Sequence, residues 1–169
     1  HGRDGRARRR PRRTGGNSYI ANCTFYGNDH VGGDNDGLWN NGGATKPTNC
    51  IFDGHAVNAI TATAVIIDNC MFGPTGNAAV GVGYQASEAE DMIIADPMFV
   101  GAKAPNDLDL QEGSPAIDAG SMETTAVKWG VSVPPPTDDI LGRERTGIVD
   151  IGAYEQTTVS SITDWRLLN

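Results

Sequence analysis

Cysteine is scarce in this chain, and its few copies are regularly placed. Only Cys23, Cys50 and Cys70 occur in 169 residues. No Cys-x-x-Cys pair and no Cys/His spacing is present, so neither a zinc site nor a dithiol redox centre is expected. Aromatic residues make up 7% of the chain, too few for a large aromatic core. No run of about 18 apolar residues occurs, and no membrane span is expected. The charged, apolar and cleavage regions of a secretory signal are missing from these residues as well. Positive charge is nearly missing from the body. Residues 1–13 hold seven Arg and one Asp, whereas the remainder carries six basic and twenty acidic side chains. A body of net charge -14 repels nucleic acid and anionic membrane surfaces, so a nucleic-acid partner is not expected.

What the chain does have is a phrase that returns. It reads Ile20-Ala21-Asn22-Cys23-Thr24-Phe25, then Pro47-Thr48-Asn49-Cys50-Ile51-Phe52, then Ile67-Asp68-Asn69-Cys70-Met71-Phe72, with a degenerate fourth copy in Ile94-Ala95-Asp96-Pro97-Met98-Phe99. The steps between positions 23, 50, 70 and 97 are 27, 20 and 27 residues. A repeat of this length is the sign of a solenoid or an array. Within each copy the apolar residues alternate, which is the period of a strand. Cys and Phe then point inward, and Thr24, Ile51 and Met71 point the other way. The Asn ahead of each strand predicts a corner, because Asn tolerates the left-handed backbone region and can bond nearby main chain. Stacked copies predict an Asn ladder at 22, 49 and 69, and an aromatic stack at 25, 52, 72 and 99. Three short strands and three bends fit each repeat. The cysteines, on one inward position, are expected to be reduced, buried and unpaired.

These phrases resemble the right-handed parallel β-helix family, the pectate-lyase-like solenoids. The resemblance implies an all-β fold of about four coils. A second stretch strengthens it: Asp96-Pro97-Met98-Phe99-Val100, Asp107-Leu108-Asp109-Leu110, Gly113-Ser114-Pro115-Ala116-Ile117-Asp118-Ala119-Gly120, Ile140-Leu141-Gly142-Arg143 and Asp150-Ile151-Gly152-Ala153-Tyr154-Glu155. It looks like the C-terminal closing segment of secreted bacterial β-helix proteins, including polysaccharide-lyase-like and surface-anchored ones. The expected organisation is a basic arm at 1–16, disordered or outside the fold, then a β-helix over 17–155 with a C-terminal cap from about 100, then a tail or linker at 156–169. An end cap is needed because the last coil leaves strand edges and core open. The first coil, with no such cover, implies either further coils upstream or self-association through the N-terminal end.

Function is less legible. The resemblance implies a secreted or cell-surface bacterial protein that acts on polysaccharide, as a lyase or a glycoside hydrolase. The alternative is a non-catalytic glycan-binding or adhesion module, and enzymatic activity is left open between them. Lyases of this fold use Lys or Arg as base, often with Ca²⁺; hydrolases use grouped Asp residues. The candidate catalytic residues are therefore Asp34, Asp36, Lys46 and His55. Trp39 is a candidate sugar-stacking platform. Asp29, Asp34 and Asp36 supply hard oxygens of the kind Ca²⁺ takes, and Ca²⁺ is the one cofactor suggested. Asn22-Cys23-Thr24 matches the glycosylation sequon but falls at a corner expected to be buried.

Overall fold

In a computed structural model of the chain, the described residues are 16–28, 37–55, 59–74, 84–86, 92–101, 108–122 and 134–156. Among them every regular element is a strand. The strands are β1 (Ser18–Ala21), β2 (Thr24–Tyr26), β3 (Leu38–Thr48), β4 (Ile51–Asp53), β5 (Ile60–Ile67), β6 (Cys70–Phe72), β7 (Tyr84–Ala86) and β8 (Met92–Ile94). They form two separate four-stranded sheets, in the orders β1-β3-β5-β7 and β2-β4-β6-β8. Every pairing is parallel. The chain thus alternates between the sheets, and each repeat described contributes two strands rather than three. Among the described residues no helix is long and apolar enough to cross a membrane.

The corner between paired strands is made by the Asn of each phrase. Asn22, Asn49 and Asn69 have φ of 47°, 49° and 50°, in the left-handed region that Asn enters more readily than most residues. This turn sends the chain from the first sheet into the second within two residues. The Asn49 Nδ2 donates to Asn22 Oδ1 at 3.5 Å, so one rung of the expected amide ladder is present.

The main core lies between the sheets. Cys50, Phe52, Ala59, Ile60, Val65, Ile67, Cys70 and Phe72 are buried together, with Ile20, Cys23, Phe25, Leu38 and Met92 partly covered around them. Phe25 stacks on Phe52 at 4.8 Å between ring centroids and 1° between planes, and Phe52 on Phe72 at 5.3 Å and 14°. The ring spacing is that of neighbouring strands, so in-register pairing brings the rings face to face. The cysteines are free thiols. Each lies within 3.2–3.4 Å of the carbonyl two residues before it. A hydrogen bond with Cys50 and burial hold the Cys23 thiol up, and burial pushes Cys50 up, so both stay protonated and inert.

The fourth copy departs from expectation. Met92, Ile93 and Ile94 pair with Cys70, Met71 and Phe72, so the fourth strand ends before Pro97. Phe99 is not in the stack; it meets Tyr26 edge-on at 5.5 Å and 86°. The reason is visible in the residues: Pro97 has no N–H to give a ladder, while Met92 and Ile94 supply the alternating apolar side chains a strand needs. β3 is also longer than expected. Its pairing with β5 shifts between Asn40 and Ala44, which absorbs its extra residues as a bulge.

The expected closing segment sits along the side of the stack. Residues 108–122 and 134–156 lie against the outer face of the second sheet, where Ile51 and Met71 are buried with Leu110, Ala116 and Ile151. The strap reaches three corners. Asn22 Nδ2 donates to Asp150 O at 3.3 Å, Asn49 exchanges two 2.8 Å bonds with the main chain of Ser121, and Asn69 Nδ2 donates to Ala119 O at 3.3 Å. Thr24 Oγ1 accepts the Ala153 N–H at 3.0 Å. The sequon Asn22-Cys23-Thr24 is therefore occupied by internal bonds. Ile94, in register with Phe72, is 62% exposed, so the strap leaves that end of the column open.

Candidate functional site

Alternation along the second sheet decides what faces outward. One outward row is Thr24, Ile51, Met71 and Ile93, which the strap covers. Two residues further along each strand the next row begins with Tyr26 and Asp53, which are register partners. Gly73 continues it, its N–H bonded to Phe52 O at 2.8 Å. A side chain at 73 is excluded, since its Cβ would fall 1.6 Å from Asp53 Oδ1. The Asp53 carboxylate thus lies over the Gly73 backbone, in space that only glycine leaves.

Segment 96–101 forms the facing wall. Met98 sits at φ 53°, and Asp96 Oδ1 accepts its N–H at 2.8 Å. This side-chain turn offsets the cost of a left-handed Met. Gln111 braces the wall, its main-chain N–H donating to Met98 O at 2.8 Å and its Nε2 to Phe99 O at 2.6 Å. Behind it Asp109 accepts from Arg143 Nη2 at 2.8 Å. Arg143 also bonds Asp139 and lies 5.9 Å from the Tyr154 ring, so its role is structural.

Between the row and the wall is a cleft of about 360 Å³ lined by Tyr26, Asp53, Asp96, Met98, Phe99 and Gln111. It offers two aromatic rings, two carboxylates and an amide, and among the described residues no cation lines it. Such a set accepts hydroxyl and amine protons while giving an apolar ring surface to lie on. A few converging polar groups on apolar walls are the usual form of a small-ligand site.

The residues singled out from the sequence are not gathered there. Asp29, Asp34 and Asp36 lie outside the described residues, and with them the suggested Ca²⁺ loop. Among the described residues, no group of three or more His, Cys, Asp or Glu side chains is placed to hold a metal. Trp39 lies in β3 in register with Thr61. Lys46 is 5% exposed and its Nζ is 2.8 Å from Asp68 Oδ2, so it is engaged in an ion pair away from the cleft. His55 is 1% exposed, packed under the turn at Gly37 and Ala59. Tyr26 and Asp53 were missed because they occupy the position after the repeated Phe. That position reads Tyr26, Asp53 and Gly73 in an otherwise regular phrase, and this irregularity is the signal that could have found it.

The chain matches no protein-family model, no curated protein and no solved structure.

Proposed function

We propose that the two parallel sheets are faces of a right-handed parallel β-helix, pectate-lyase-like in build, which binds polysaccharide outside the cell. The alternation of strands between two in-register parallel sheets supports the architecture, as do the three left-handed Asn corners. The cleft carries the functional reading: Tyr26 and Phe99 meet at right angles beside Asp53 and Asp96. Sugars present apolar ring faces and polar rims, and this lining answers both. Calorimetric titration with oligosaccharides tests the reading. Tyr26→Ala is expected to weaken binding by about tenfold or more while leaving the fold intact. No binding to any oligosaccharide would count against it.

A catalytic form of the same reading has its own observation. Two carboxylates line one cleft, Asp53 half-buried and Asp96 exposed, and unequal surroundings are how one carboxyl comes to serve as acid and another as base. Release of reducing ends that Asp53→Asn abolishes would establish a glycoside hydrolase. A lyase is the weaker form, because Lys46 is held by Asp68. Self-association through the first repeat belongs to this proposal as well: Ile20 and Phe25 are only partly covered there, and β1 and β2 are edge strands. Light scattering that finds a monomer at all concentrations would remove it.

A further inference from the structure

We infer that the ligand of this cleft is an amine-bearing sugar, a glucosamine-type unit with a free ammonium, and not a uronate. The inference rests on the glycan reading above and adds the charge of the substrate. The acidic groups in the lining are the carboxylates of Asp53 and Asp96, and among the described residues no Lys, Arg or His lines the cleft. A uronate would bring a third carboxylate beside them, and like charges in one partly desolvated site repel. An ammonium does the reverse and can donate charge-assisted bonds to both carboxylates.

The two carboxylates are held rather than loose. Asp96 Oδ1 takes the Met98 N–H at 2.8 Å, and its second oxygen has no partner among the described residues. Asp53 is seated over Gly73, where any side chain would collide with it. They approach from opposite sides, one from the strand row and one from segment 96–101. The aromatic pair points to the same chemistry. Tyr26 and Phe99 meet edge to face, so a ring face is available to a sugar, and an adjacent ammonium gains from the ring quadrupole. The acidic body adds a long-range field that draws cations toward the cleft.

The test uses the full chain and three short probes: β-1,4-linked trimers of glucosamine and of N-acetylglucosamine, and a galacturonate trimer. Titration at about 0.15 M and about 0.5 M salt separates site binding from diffuse attraction to an acidic surface. The glucosamine trimer is expected to bind at least about tenfold tighter than the acetylated one at both salts, and the galacturonate trimer not at all. Asp53→Asn and Asp96→Asn are expected to remove that preference, weakening the glucosamine trimer far more than the acetylated one. Glu144→Gln, an exposed acid outside the cleft, is expected to change nothing. Equal binding of the two glucosamine-type trimers, or binding of galacturonate, overturns the amine inference and leaves the glycan reading standing. A loss in Glu144→Gln equal to that in Asp53→Asn overturns it too, as surface attraction. Failure of every trimer to bind overturns both.

Discussion

The two faces of the second sheet are built from the same three strands and are covered in opposite ways. On the inner face Phe25, Phe52 and Phe72 cover one another, each ring placed by register against its own repeat. On the outer face Ile51 and Met71 are covered by Leu110, Ala116 and Ile151, which belong to no repeat. The contacts that hold that cover span long stretches of chain, up to a separation of 129 residues between Thr24 and Ala153. The inner core thus depends on repetition, and the outer core on closing one long loop. Such closure costs more chain entropy than neighbour-to-neighbour stacking, so the strap is expected to open before the stack does.

Truncations on the two faces should show this difference most strongly. Phe52→Ala removes the middle ring of the stack and is expected to cost about 3–5 kcal/mol in urea unfolding. Ile51→Ala, one residue away on the outer face, is expected to cost about 2–5 kcal/mol and to act differently. It should raise hydrogen exchange at the N–H groups of Ile151 and Gly152, which bond Ala116 O and Asn49 O, with little change inside the stack. Equal exchange in both variants would mean that the faces unfold as one unit.

A smaller change attacks the strap alone. Gly152 has φ of 109°, and a Cβ there would fall 2.7 Å from Ile51 Cδ1 and 2.9 Å from Thr24 Oγ1. Gly152→Ala is expected to destabilise by about 1–3 kcal/mol through overpacking. Its signature is selective proteolysis of residues 134–156 with the aromatic stack intact. Resistance equal to that of the parent would place the strap elsewhere.

Acid should act on the strap without mutation, because three buried carboxylates, Asp139, Asp150 and Glu155, belong to it. Burial raises Asp150 and Glu155 above the usual carboxyl range, against the N–H groups that bond them. Burial opposes ionisation of Asp139 too, but there the N–H groups of Glu155 and Arg143 and the Arg143 guanidinium prevail and lower it. A raised carboxyl disfavours the charged form in the fold, so stability rises as pH falls through the raised values. A lowered one stabilises above its unfolded value, and that contribution is lost as pH falls through the lowered value. The strap should therefore be tightest in mild acid, between these limits. Asp150→Asn with Glu155→Gln should flatten the rise from neutral pH, and Asp139→Asn the loss at low pH. A denaturation midpoint that falls steadily from pH 7 downward would contradict this.

The smallest effect concerns the thiols. Cys50 and Cys70 are 0% exposed and Cys23 is half-buried in the first repeat. In native protein a thiol reagent should leave Cys50 and Cys70 unmodified, since both are buried, and reach Cys23 slowly, since its thiol is held protonated. Rapid labelling of all three would mean that the inner face is open.

The residues by themselves determined what repetition can encode. Spacing of the Asn-Cys-x-Phe phrase sufficed for the inward column, the Asn corners and the free thiols, because each depends only on strand alternation and on nearest neighbours in the stack. It misled at the fourth copy, where a similar phrase at Pro97 could not donate to a ladder and the unmarked Met92-Ile93-Ile94 could. The tertiary structure alone decided where residues 108–122 and 134–156 lie, since nothing local says whether an apolar segment closes the end of a stack or its side. It alone decided the cleft, too. Tyr26, Asp53, Phe99 and Gln111 are far apart in sequence and meet because register places the first two side by side, while segment 96–101 and the strap bring Phe99 and Gln111 to them. Lys46 and His55, conspicuous as isolated basic residues, were assigned by the fold to an ion pair and to the underside of a turn. A polar residue's type limits what it can do, but burial and partners, which are set by the whole chain, determine which of those things it does.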